Sequence, residues 1–226
     1  MISEGSIRFY FDLTSPYSYL AFHKLQQYAK LWESVQILYY PASLGAIMKS
    51  ASNSPPGQNL MRKDWLHQDI PRAAKMWQVP FTSTWPSPFP ITTLGPNRFL
   101  LEVGKTCGQN ALIHAIGRLF DNYWTDPCVN PCDVSSLKAS LPASFSETEF
   151  QEILTRSKSP EGKQALMQTT QEALDKGAFG LPYMVVSKTN KSGVSSEITV
   201  FGSDRFDHLG WFLEQDCWSG PVVSKL

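Results

Sequence analysis

The sequence predicts an α/β fold interrupted by a large helical insertion. Strand-like runs fall only near the two ends of the chain, the long stretch between them carries helical periodicity without a convincing strand, and each end reads as half of one small sheet. The expected division is a discontinuous α/β domain made of residues 1–44 and 177–226, with an all-helical domain inserted as residues 45–176.

Ile7 to Phe11 is a short aromatic and β-branched run, and so a strand. Tyr17 to Trp32 places Leu20, Leu25, Ala29 and Trp32 near one helical face, and Val35 to Tyr40, closed by Pro41, is a second strand. A crossover this short makes the unit right-handed and its strands parallel. Near the other end, Tyr183 to Ser187 and Glu197 to Phe201 flank the polar segment Thr189 to Ser196, which predicts an antiparallel hairpin with a long turn. From Asp204 onward, Phe206, Leu209, Phe212 and Leu213 mark a terminal amphipathic helix. Within the insertion, Ala111 to Trp124 and Glu147 to Arg156 are helical patterns. Pro55-Pro56-Gly57 and Pro80 to Pro96 read as ordered loops, the second interleaved with Phe81, Trp85 and Phe89.

With 226 residues, 42% of them hydrophobic, and seven Trp and thirteen Phe, the chain can build a sizeable core. Lys plus Arg and Asp plus Glu both total 20, so there is no electrostatic footprint for nucleic acid or an anionic membrane. No apolar run approaches the ~18 residues that span a bilayer, and the N-terminus lacks a basic-then-apolar leader, so the protein is expected to be neither secreted nor membrane-embedded. Cys107, Cys128, Cys132 and Cys217 are too few and too irregular for a disulfide framework or a metal site, and reduced thiols and no metal are expected. The terminal Ser224-Lys225-Leu226 matches the peroxisomal address, which implies recognition by the peroxisomal import receptor.

The order β-α-β, helical insert, β-β-α is the thioredoxin pattern with an insertion, whose chemistry sits where the first strand enters the first helix. Here that place reads Thr14-Ser15-Pro16-Tyr17-Ser18. Ser15 suits an N-cap and Pro16 a first helical residue, which lacks the amide hydrogen that would have no partner there. Simple capping is therefore one complete account of Ser15. The other begins from Ser15-x-x-Ser18 standing where a redox protein carries C-x-x-C. Two hydroxyls cannot exchange disulfides, but a helix N-terminus and a hydroxyl donor still favour an anion, such as the thiolate of another molecule.

A second anchor is Gly177-Ala178-Phe179-Gly180-Leu181-Pro182, just before the third strand. A cis Leu181-Pro182 bond would leave the Leu181 amide and carbonyl unpaired and facing Ser15, ready for the backbone of a cysteinyl peptide, although an ordinary turn proline also fits. The third is Phe201-Gly202-Ser203-Asp204-Arg205. There Ser203 reads as the N-cap of the last helix, and Ser203 and Asp204 together suit a carboxylate and an ammonium.

With these blocks, the sequence resembles the kappa-class glutathione transferases over nearly its whole length. The resemblance rests on Asp12 to Leu20, Asn53 with Pro55-Pro56-Gly57, Gly177 to Pro182 and Phe201 to Arg205. It implies a thioredoxin-like domain with an inserted helical domain, a homodimer, a role in detoxification, and a place in peroxisomes or mitochondria. Ser224-Lys225-Leu226 favours the peroxisome, with the mitochondrion or cytosol as alternatives. By resemblance, Ser15 stabilises the glutathione thiolate, Pro16 and Tyr17 line the sulfur side, and Asn53, Leu181, Pro182, Ser203 and Asp204 complete the glutathione site. The spacing from Gly57 to Arg62-Lys63 departs from the family pattern by a residue, which leaves Lys63 outside the expected site.

The expected reaction is conjugation of glutathione to a small hydrophobic electrophile, with lipid peroxide reduction as a further activity. Met61, Trp65, Trp85 and Phe89 are candidates for the apolar wall of the second site, although aromatic residues in such a domain are more often core. Two alternatives stand beside it: a glutathione-dependent isomerase of the 2-hydroxychromene-2-carboxylate type, and a non-catalytic thioredoxin-like binding protein.

Overall fold

A computed structural model describes residues 4–190 and 193–215. Strand β1 (Glu4–Phe11), helix α1 (Pro16–Tyr28) and strand β2 (Val35–Pro41) form the first unit, and β3 (Tyr183–Thr189), β4 (Ser195–Phe201) and α8 (Phe206–Leu213) form the last. Between them run α2 (Leu44–Ser50), a 3₁₀ turn at Pro56–Gln58, α3 (Leu60–Met76), α4 (Leu94–Trp124), α5 (Val134–Ala139), α6 (Glu147–Lys158) and α7 (Pro160–Asp175). The sheet order is β2-β1-β3-β4, with β1 parallel to β2 and both other pairings antiparallel. This is the α/β, thioredoxin-like arrangement expected of the sequence, with the helical segment lying between the second and third strands.

Successive residues of β1 face opposite sides of the sheet, and both sides are buried. Ile7, Phe9 and Phe11 join a cluster that runs without a break through α1 and α4 to Phe150 and Leu154 of α6. Tyr10 joins the smaller cluster on the opposite face with Ile47 of α2, Ala173 of α7 and Val185 of β3. The helical segment thus covers the sheet on both faces.

Several boundaries differ from those expected. Helix α1 stops at Tyr28, and Trp32 reaches the core from the following turn by stacking on Tyr28 with ring centroids 4.5 Å apart. The hairpin turn is shorter than expected, because pairing extends to Thr189 and Ser195. Polar side chains facing solvent leave backbone pairing intact there, so polarity alone did not mark a loop. Helix α4 begins at Leu94, so Pro96 lies in its first turn, where no amide hydrogen is needed. Gly108, at φ 83°, breaks the helical backbone within α4 and separates the expected 111–124 run from a first half rich in glycine.

The fold brings three chain segments to one end of the sheet. Tyr10 pairs with Tyr183, and Tyr183 with Phe201. The turn after β1, the Leu181-Pro182 bond before β3 and the turn after β4 therefore lie side by side.

Candidate active site

Ser15 is the N-cap of α1, in extended conformation (φ −90°, ψ 114°), with Pro16 as the first helical residue. Its Oγ accepts from the Ser18 amide at 3.1 Å and its hydroxyl donates to the Leu181 carbonyl at 3.2 Å. The Ser15 amide donates to the Asp12 carbonyl at 3.0 Å, which closes the turn that presents it. Ser15 is 3% exposed, and Ser18 is fully buried with its hydroxyl unpaired.

Leu181-Pro182 is cis, as expected. The Leu181 carbonyl, expected to be unpaired, is instead occupied by the Ser15 hydroxyl, since a buried hydroxyl hydrogen takes the nearest acceptor. Among the described residues no hydrogen bond is made by the Leu181 amide. That leaves one donor directed from the backbone and one acceptor that a ligand can take over.

A cavity of about 590 Å³ lies against this point. Tyr17, Leu181, Pro182, Ser203 and Asp204 line it together, so five of the expected site residues converge there, with Ser15 beneath the Leu181 carbonyl. Gly202, at φ 94°, donates its amide to the Pro182 carbonyl at 3.0 Å and ties the turn after β4 to the cis bond. Ser203 is buried, but it does not cap the last helix. That helix starts at Phe206 with Arg205 at its N-cap position and no side-chain cap, because the tight 202–204 turn places two more residues before the helix. Asp204 is in close contact with the Arg205 guanidinium.

Asn53 does not line the cavity. Its side-chain amide donates to the Phe179 carbonyl at 2.8 Å and its Oδ1 accepts from the Ser54 amide at 2.8 Å, which braces the loop leading to Leu181. Of the candidates for an apolar wall, only Trp65 reaches the cavity. Met61 points into solvent, 83% exposed. Trp85 and Phe89 pack on Trp124, with ring centroids 5.9 and 5.6 Å away, and Trp85 stacks on His67. These two aromatics are partly buried and pack against the core.

The wall that sequence reasoning missed comes from α3, which supplies Asp69, Arg72 and Met76 beside Trp65, and from its C-cap residue Trp77. Leu66, Ile70 and Ala74 recur every four residues and are buried, a signal that sets Trp65, Asp69, Arg72 and Met76 on the adjacent face. Pro71 inside the helix hid that period. The Tyr17 hydroxyl donates to Asp69 Oδ2 at 3.0 Å. Burial, reinforced by the Asp69 carboxylate, pushes the Tyr17 phenol well above its ordinary range and keeps it neutral.

The free thiols of Cys107, Cys128 and Cys132 lie outside the cavity lining. Cys217 and Ser224-Lys225-Leu226 lie outside the described residues. No helix among the described residues is long and apolar enough to cross a membrane.

Residues 6–214 match the family model described as the DSBA-like thioredoxin domain. A glutathione S-transferase kappa 1 of Caenorhabditis elegans is 30% identical over 215 residues, covering 92% of this chain and 91% of that protein. A 2-hydroxychromene-2-carboxylate isomerase of a Pseudomonas species is 26% identical over 79% of this chain and 80% of its own. The solved structure of a 2-hydroxychromene-2-carboxylate isomerase superposes with a TM-score of 0.74 at 21% identity, covering 94% of this chain and 96% of that one. The arrangement of Ser15 against a cis proline, on this fold and at this similarity, places the chain among the DSBA-like thioredoxin-domain proteins, and within them it belongs to the kappa class of glutathione transferases.

Proposed function

We propose that the protein binds glutathione with its thiol at Ser15 and conjugates the thiolate to a small apolar electrophile. The observation that carries this reading is the Ser15 hydroxyl, held between the α1 N-terminus and the Leu181 carbonyl. In the proposed pose the cysteinyl amide of glutathione takes the Leu181 carbonyl and the cysteinyl carbonyl accepts from the Leu181 amide, as in an added strand. The Ser15 hydroxyl then turns to the sulfur, while its oxygen still accepts from the Ser18 amide, since a hydroxyl offers one donor and two acceptor positions. The γ-glutamyl carboxylate fits Ser203 and its ammonium fits Asp204.

Lowering a thiol pKa by about two units requires about 2.7 kcal/mol of preference for the thiolate. A charge-assisted hydrogen bond contributes roughly 1.5–3 kcal/mol and a helix N-terminus roughly 0.3–1 kcal/mol, which together cover it. The thiol proton leaves to solvent. The sulfur then forms a bond to the electrophilic carbon as the leaving group departs with its electron pair. Tyr17, held neutral, lines the sulfur side without competing for the charge.

Glutathione-dependent isomerisation is the second reading, favoured by the isomerase relative. There the thiolate adds to a conjugated double bond and is expelled after rotation. Thiol stoichiometry separates the two: conjugation consumes one thiol per product, whereas unchanged thiol with an isomerised product overturns conjugation. Reduction of a lipid hydroperoxide would consume two glutathione molecules and release the disulfide, the alcohol and water. A homodimer and a peroxisomal location are also part of this proposal. The exposed apolar residues Leu60 and Met61 at the start of α3 support the first, and the terminal tripeptide supports the second.

A further inference from the structure

The α3 wall of the cavity carries a cation with capacity to spare. Arg72 Nη2 lies 3.6 Å from Asp69 Oδ1, beyond hydrogen-bond length, while the other Asp69 oxygen accepts from Tyr17. The guanidinium sits over the Trp65 ring with its central carbon 5.0 Å from the centroid. Among the described residues it makes no hydrogen bond, so the five N–H donors of a guanidinium are available to a ligand. The other cation of the cavity, Arg205, is engaged with Asp204.

Its position relative to Ser15 decides what it meets. Tyr17 stands two residues from Ser15, contacts Asp69 across the cavity, and Asp69 leads to Arg72 one turn further along α3. In the pose above, the γ-glutamyl end lies at Ser203 and Asp204. Arg72 lines the same cavity from the α3 side, beside the apolar Trp65, Met76 and Trp77.

We propose that Arg72, oriented by Trp65 and Asp69, is a subsite for an anionic group on the second substrate, and that the preferred electrophiles are planar, conjugated carboxylates. The inference rests on the glutathione reading above. Arginine pairs with a carboxylate through two parallel hydrogen bonds, and here its guanidinium rests over the Trp65 ring. The apolar walls take the conjugated body of the molecule.

A matched pair of probes tests this: 4-chloro-3,5-dinitrobenzoate, which is anionic, and 1-chloro-2,4-dinitrobenzene, which is neutral. In each, the S–C bond forms as the C–Cl bond breaks and chloride leaves with the electron pair. With kcat/KM divided by the uncatalysed rate at saturating glutathione, the native protein favours the anionic probe. Arg72→Gln lowers the anionic-to-neutral ratio by about tenfold or more, the scale of one lost charge-assisted pair, and Arg72→Lys restores part of it. An unchanged ratio overturns the proposal. So does a loss shared equally by both probes with a raised KM for glutathione, which would assign Arg72 to the glycine carboxylate. Calorimetric binding of unreactive 3,5-dinitrobenzoate and 1,3-dinitrobenzene to protein loaded with S-methylglutathione reads the subsite without turnover, and must show the same selectivity and the same loss in Arg72→Gln. If S-methylglutathione does not bind the native protein, the glutathione reading itself fails. If it binds and the selectivity is absent, only the Arg72 subsite fails.

Discussion

The carboxylate of Asp12 is almost wholly removed from water, three residues before Ser15. Its oxygens accept from the Leu44 amide at 2.8 Å, the Asn97 side chain at 3.0 Å, the Thr14 amide at 3.3 Å and the Thr93 hydroxyl. One side chain thus fastens the turn that presents Ser15 to the starts of α2 and α4. Burial raises the Asp12 pKa, against these hydrogen bonds, which lower it. A carboxyl with a folded pKa above its unfolded value loses stability as pH rises through the folded pKa. Asp12→Asn removes that ionisation but sets a second pair of amide hydrogens among four donors. It is expected to cost roughly 1–3 kcal/mol at acid pH, the scale of a mispaired buried group, with the difference from the native protein narrowing toward neutral pH. Denaturant unfolding at several pH values measures this, and a gap that widens with pH contradicts it. Asp12 was legible in the sequence only as the first residue of the block that carries the resemblance, because three of its four partners lie 32 to 85 positions away. Ser15 and Leu181 were legible because a cap, a Ser-Pro pair and a Gly-x-Pro loop are local signals. The bond that holds Asn53 was illegible for the same reason as those of Asp12: it runs to the Phe179 carbonyl, 126 positions away.

At the scale of elements, strands declared themselves by β-branched and aromatic runs, whereas α3 did not, and with it went Asp69 and Arg72. Pro71 and the exposed Leu60, Met61, Trp65 and Met76 blur its apolar stripe, so only burial shows which face is inward. The turn after β4 shows the opposite case, in which one backbone angle sets an element. Gly202 lies at φ 94°, and a Cβ there would sit 2.9 Å from Asp204 Oδ1. Gly202→Ala must therefore displace Asp204 or open the turn that carries Ser203. A destabilisation of roughly 1–3 kcal/mol is expected from the strained backbone, together with a higher KM for glutathione. Thermal unfolding and initial rates at varied glutathione measure the two effects, and an unaltered KM would detach this turn from glutathione binding.

Over the whole molecule, a sheet whose central strands β1 and β3 are buried on both faces holds three loops in fixed relation, with one core running from β1 through α4 to α6. Neither the N-terminal nor the C-terminal block contains the site alone: Ser15 comes from one, Leu181 and Ser203 from the other, and the helical segment supplies the facing wall. Ser15 and Leu181, 166 positions apart, are bridged by one hydrogen bond of 3.2 Å, and that bond is where glutathione is proposed to enter. The central claim is that the Ser15 hydroxyl transfers to the sulfur. The direct measurement is thiolate absorbance against pH for glutathione bound to the native protein, to Ser15→Ala and to Ser15→Thr, which keeps both hydroxyl and cap. The native complex is expected to titrate about two units below free thiol, near 6.5, with Ser15→Thr close to it and Ser15→Ala shifted upward by one unit or more. The same titration in the native protein and Ser15→Ala would contradict the account.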